Sequence, residues 1–162
     1  MSPNEHDEVL AVARASTARR AFGLLALTLL GAFLIYSGTL DTAGPLWRLV
    51  LVVMGGGMLW AALEMYRATS QQIELTATEL RESDGTVLVR VQDIVSMDGG
   101  FFAFKPSNGL LIRSRTPGTR VWRPGLWWRL GKQIGIGGMT PRQQTKMMSE
   151  TLAALIAARD EN

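Results

Sequence analysis

Residues 21–40 read AFGLLALTLLGAFLIYSGTL, twenty positions without one charged side chain. At about 1.5 Å rise per residue such a stretch makes roughly 30 Å of helix, the thickness of a bilayer's hydrocarbon core. A second apolar run, residues 46–66 (LWRLVLVVMGGGMLWAALEMY), follows after only Asp41-Thr42-Ala43-Gly44-Pro45. Its two charged residues, Arg48 and Glu64, lie within one turn of its ends, where a long or acidic side chain reaches the interface. Trp47 and Tyr66 mark those ends and Tyr36 stands near the far end of the first run, as an interfacial aromatic belt places them. Paired core helices of a soluble bundle need polar faces, and neither run has one. The reading is a transmembrane hairpin over residues 21–69, with spans at 21–40 and 46–66. A cleaved signal peptide competes for the first run, with Arg19-Arg20 as its basic region and Ala43-Gly44 as cleavage residues. The polar lead-in, the length of the apolar core and the immediate second span argue against it.

Lys and Arg near span ends set orientation. Arg14, Arg19 and Arg20 precede the first span and Arg67 follows the second, whereas the connecting loop's side offers only Arg48. Both termini are therefore expected in the cytoplasm, with residues 1–20 as an N-terminal tail. Gly31 and Gly38 share a helix face, and Gly57-x-x-x-Ala61, preceded by Gly55 and Gly56, is a small-xxx-small pattern that lets backbones approach closely. These residues either pack the hairpin against itself or receive a helix from a partner or second copy.

Residues 70–162 suffice for one small domain with its own core. Short strands separated by turn signals are expected at 72–75, 79–83, 86–91, 94–97, 101–104, 110–115 and 120–122. Asp84-Gly85 is a tight-turn dipeptide, and turns are also read at Gly99-Gly100, at Pro106-Ser107-Asn108-Gly109 and at Thr116-Pro117-Gly118. The spacing indicates an antiparallel meander. Thr140 as N-cap and Pro141 at the first helical position open a closing helix, whose Met147, Met148, Thr151, Leu152, Leu155 and Ile156 recur at helical spacing to about residue 158. That stripe reads most simply as the lid on an open barrel's core, with a Met-rich partner-binding face as the other reading.

Some seven strands and one helix directly after a two-span hairpin resemble the membrane-anchored bacterial PH-like domain proteins. The segment IELTATELRESDGTVLVRVQDIVSMDGG is similar to the opening of those domains, including the step Gln92-Asp93-Ile94. The resemblance covers residues 71 to about 158 and departs from the family in the Trp- and Gly-rich RVWRPGLWWRLGKQIGIGG. It implies a membrane α-helical hairpin followed by a mainly-β PH-like barrel of about seven antiparallel strands plus one C-terminal helix. It also implies a role in binding and assembly at the bacterial inner membrane, with no catalytic residues to transfer.

The formal net charge of +3 hides a segregation. Residues 1–20 and 21–69 are each neutral, residues 70–98 carry six acids against two Args, and residues 99–149 carry nine bases and no acid. Such a segment makes an electropositive surface, and Trp122, Trp127 and Trp128 lie within it. For a domain tethered to a bilayer the nearest large anion is the lipid leaflet, where each base is worth about 1 kcal/mol and Trp favours the headgroup level. The candidate membrane and anion contacts are Arg113, Arg115, Arg120, Trp122, Arg123, Trp127, Trp128, Arg129 and Lys132. The plainer alternative is that the three Trp pack a core or strand face and the bases form a solvated rim. Arg and Trp are also the usual anchors of protein interfaces. Nucleic acid is not expected as a partner, because a basic stripe beside a membrane has a nearer target.

With no Cys and one His, His6, the chain offers no thiol chemistry, no zinc-thiolate site and little His-based catalysis. Glu79, Glu82, Asp84, Asp93 and Asp98 read as a solvated acidic face rather than a paired acid and base. The Gly135-Ile136-Gly137-Gly138 run lacks the P-loop lysine and the spacing of the dinucleotide fingerprint, so it reads as a strand-to-helix connection. The expectation is a non-enzymatic integral membrane protein without metal or cofactor. It presents a basic domain at the cytoplasmic surface as a scaffold or accessory part, through membrane lipids and other membrane subunits or copies of itself. The alternative is a non-autonomous subunit of a membrane enzyme or transporter complex.

Overall fold

The computed structural model describes residues 8–40, 44–98 and 109–161. The strand expected at 101–104, the turns at 99–100 and 106–109, and His6 lie outside the described residues. Two compact units divide the chain: residues 17–67, and a domain built from the chain up to Ser16 together with everything from Ala68 onward.

The first unit is a pair of long helices, α1 (Thr17–Thr39) and α2 (Pro45–Thr69). Their apolar windows have mean hydropathies of 1.9 and 1.8, and only 11% of each window is buried. A core helix of a soluble protein hides such side chains. These two leave Phe22, Phe33, Leu46 and Val53 more than 60% exposed, and both are long and apolar enough to cross a membrane. They meet through glycine. A methyl group on Gly31 would lie 2.9 Å from the Gly55 carbonyl oxygen, one on Gly55 would lie 2.7 Å from that of Gly31, and one on Gly38 would lie 3.0 Å from Val52 Cγ2. Backbones approach this closely only where no Cβ intervenes. Arg20 lies 4.7 Å over the Tyr66 ring, and Arg67 pairs with Glu64 at 2.9 Å, so the acid in the second apolar run is partnered.

The domain holds seven strands among the described residues, but not the seven expected. The four-stranded sheet runs β1 (Ala11–Arg14), β2 (Gln72–Leu75), β3 (Glu79–Glu82), β4 (Val87–Arg90), all antiparallel neighbours. Strand β1 comes from the segment read as a tail. Ala13 pairs with Ile73 and Arg14 with Gln72, so the strand before the helix pair and the strand after it are adjacent. A short 3-10 helix (Val91–Asp93) leads to the second sheet, β5 (Ile94–Asp98), β6 (Leu110–Arg123) and β7 (Trp127–Ile136), also antiparallel. The turn expected at Thr116-Pro117-Gly118 is part of β6, where the register to β7 slips twice between Arg113 and Val121. Proline is tolerated at a bulge because the ladder there is already interrupted.

Alternating side chains from both sheets meet in one core: Ala11, Ala13, Ile73, Leu75, Leu80, Leu88, Ile94, Ile112, Ile134 and Ile136, with Met148 and Leu152 from the closing helix α3 (Arg142–Asp160). Leu155 and Ile156 pack partly against it, whereas Met147 is exposed. Pro141, not Thr140, occupies the N-cap, with an extended backbone. Helix α3 lies beside β1, an edge strand, and Gln144 Oε1 accepts the Arg14 backbone N–H at 3.1 Å. Of the run Gly135–Gly138 expected to connect strand to helix, Gly135 and Ile136 end β7, and Gly137 and Gly138, both at positive φ, lead on toward α3.

Candidate functional site

The basic and aromatic residues singled out by sequence fall on one long hairpin, β6–β7, and the register sorts them. Trp122 pairs with Trp128, while Val121 pairs with Arg129 and Arg123 with Trp127. Cross-strand partners share a face, so Trp122 and Trp128 look one way and Arg123, Trp127 and Arg129 the other.

The second group serves the fold. Trp127 is 2% exposed, part of the core, and its indole N–H donates to Glu82 Oε1 at 2.7 Å. This removes Trp127 from the surface candidates. Glu82, expected on a solvated acidic face, is fully buried, and its Oε1 lies 3.7 Å from Arg123 Nε. Its place follows from parity: Leu80 and Glu82 alternate inward along β3, and β3 touches the β6–β7 hairpin through this carboxylate. Arg129 is also tied down. Its guanidinium donates to the backbone carbonyls of Leu88 (2.7 Å), Thr116 (3.2 Å) and Gly131 (3.3 Å), satisfying acceptors that the bulged ladder leaves open. The guanidinium fills the space that a Cβ on Gly118 would take.

The outer face is different. Trp128 is half-buried and its ring covers Gly135, occupying the place of any side chain there. Trp122 stands 61% exposed, and Leu130, two residues beyond Trp128 on the same face of β7, is 54% exposed. Leu130 was not among the sequence candidates; its parity with Trp128 was the available signal. Arg113, Arg115, Arg120 and Lys132 are all exposed and make no ion pair among the described residues. The nine sequence candidates thus reduce to an exposed set of Arg113, Arg115, Arg120, Trp122 and Lys132.

The turn of this hairpin has a defined neighbourhood within the domain. A methyl group on Gly125, which adopts φ +84°, would lie 3.1 Å from Thr69 Cγ2 and 3.2 Å from Met139 Sδ. The Met139 N–H donates to Gly125 O (3.0 Å), and Met139 O accepts the Ser16 N–H (2.8 Å). Thr69 and Ser16 are where the domain's chain meets α2 and α1. The β3–β4 turn lies at the same end, since the Ser83 N–H donates to Gln72 O (2.9 Å). There Asp84 Oδ1 accepts the Thr86 N–H at 2.8 Å, which holds the Asp84 carboxyl below its usual range.

An open cleft of about 370 Å³ beside α3 is lined by Ala77, Thr78, Val91, Gln92, Leu155, Ala158 and Arg159. Its one charged group, Arg159, donates to the carbonyls of Val91 (3.1 Å), Gln92 (3.4 Å) and Ile94 (2.9 Å) and so braces the 3-10 helix. Among the described residues no three His, Cys, Asp or Glu gather as a metal site. Of the helix-packing candidates, Gly31, Gly38 and Gly55 lie in the α1–α2 contact, Ala61 is half-buried, and a Cβ on Gly56 or Gly57 would meet open space. No protein-family model, no curated protein and no solved structure matches the chain.

Proposed function

We propose that this chain is a non-enzymatic integral membrane protein of the bacterial inner membrane, in which a two-span hairpin anchors a basic PH-like domain at the cytoplasmic surface as a scaffold or accessory part of membrane assemblies. The observation that carries this reading is the pairing of β1 with β2. Strands Ala11–Arg14 and Gln72–Leu75 belong to one sheet, so the segments flanking the two helices must lie on the same side of any membrane the helices cross. An even number of crossings is what a hairpin supplies. Arg14, Arg19, Arg20 and Arg67 flank the apolar spans on the domain side, against Arg48 on the loop side, and this bias supports a cytoplasmic domain. Sheets of four and three antiparallel strands closed by a C-terminal helix fit the PH-like resemblance. The absence of cysteine and the single histidine support a role in binding rather than chemistry.

Membrane fractionation tests the anchor. The full chain should stay with membranes through an alkaline carbonate wash, and a chain with residues 17–67 replaced by a flexible linker should be released. A full chain washed off by carbonate would contradict the reading. Purification in mild detergent followed by native mass spectrometry then tests the assembly role, which requires a recurrent membrane-protein partner or a defined oligomer.

A further inference from the structure

We propose that the outer face of the β6–β7 hairpin, at its turn end, docks onto anionic phospholipid headgroups, with Trp122 and Leu130 entering the interface and Arg120 and Lys132 supplying the charge contacts. This rests on the anchored reading above and adds a contact which that reading does not require. Three independent observations converge on this face. The first is exposure: a Trp and a Leu stand 61% and 54% exposed on one face of a strand pair, where a domain with its own core would hide them. The second is charge, since Arg120 and Lys132, exposed on the same hairpin, are free of ion pairs among the described residues and residues 99–149 contain no carboxylate. The core claims Trp127, and Glu82, Leu88 and Thr116 engage Arg123 and Arg129, so the outward cations and Trp122 are what remain for a ligand.

The third is position. The hairpin turn packs on Thr69 and connects through Met139 to Ser16, the two points at which the domain's chain passes into the apolar helices. Trp122 is one residue from the start of that turn. At about 3.3 Å per strand residue, Leu130 is within roughly 15 Å of it. Arg113 and Arg115 are farther along β6 and contribute less. Trp and Leu beside clustered bases match the chemistry of an anionic headgroup layer over a hydrocarbon edge. Docking there would hold the domain in one orientation.

The absence of native cysteine allows a direct test. Leu130→Cys in the full chain, carrying an environment-sensitive fluorophore, is placed in nanodiscs of phosphatidylcholine alone or mixed with phosphatidylglycerol. A second label at Ala154→Cys, on an exposed position of α3, is the control. In the mixed discs the label at 130 should shift to the blue and become shielded from iodide, while the label at 154 stays in water in both lipids. Arg120→Gln and Lys132→Gln should each lower the docked-to-free ratio roughly fivefold, and raised salt should reverse the shift. A label at 130 equally open to iodide in both lipids overturns the docking, as does one shielded equally in both. Either result leaves the anchor standing if the protein still co-purifies with the discs; a chain that does not enter discs defeats the anchored reading itself.

Discussion

Glu82 links β3 to the β6–β7 hairpin from a fully buried position, accepting the Trp127 indole N–H and facing Arg123. Removing the acceptor strands a buried N–H donor, which costs about 1–3 kcal/mol. The Arg123 share is small, because its side chain is 39% exposed and solvent screens the pair. Glu82→Ala should therefore destabilise the domain by about 2 kcal/mol, and Glu82→Gln by less, since an amide oxygen still accepts from Trp127. Denaturant unfolding followed by tryptophan fluorescence in detergent checks this, and an Ala variant unfolding with the parent chain would show that the link contributes nothing. Charge counting alone hides this residue: a carboxylate in an acidic stretch reads as solvated, and the corrective signal is its inward parity with Leu80. Arg129 and Trp127 were misleading for the converse reason. Their type suits a surface contact, but three backbone acceptors and a buried carboxylate claim them.

At the scale of elements, what the sequence made legible was local. The two apolar runs, β2, β3, the Asp84-Gly85 turn with Gly85 at φ +90°, β5 and α3 all follow from periodicity or turn chemistry within a few residues. Strand β1 does not. Its four residues, AVAR, carry little strand propensity of their own, and the pairing that stabilises them lies about sixty positions away. Pro117-Gly118 misled in the opposite direction, since a pair that usually ends a strand here marks a bulge within one. Ala13 is fully buried and Val12 faces outward at 37% exposure. Ala13→Asp should cost about 3 kcal/mol or more through an unpaired buried carboxylate, and Val12→Lys, which faces Glu74 across the strands, should be near neutral. Thermal melting with limited proteolysis of the domain distinguishes them, and equal behaviour of the two variants would remove β1 from the sheet.

Along the whole chain, a helix pair is inserted in sequence between two neighbouring strands of one sheet: the chain completes one strand, passes through two apolar helices, and returns to the neighbouring strand. Both averages of the sequence resolve into this arrangement. The 47% hydrophobic content is concentrated in the two helices, whose apolar windows are only 11% buried, and the net charge of +3 is dominated by the segment that contains β6 and β7. The insertion turns topology into a physical requirement, because separating β1 from β2 across a bilayer would break the sheet. Single cysteines in an otherwise cysteine-free chain test it most directly, at Glu8, Gly44 and Ala154, labelled in spheroplasts with a membrane-impermeant maleimide. Position 44 should react in intact spheroplasts, and positions 8 and 154 only after the membrane is permeabilised. Labelling of 8 and 154 on opposite sides, or of all three from outside, would contradict it.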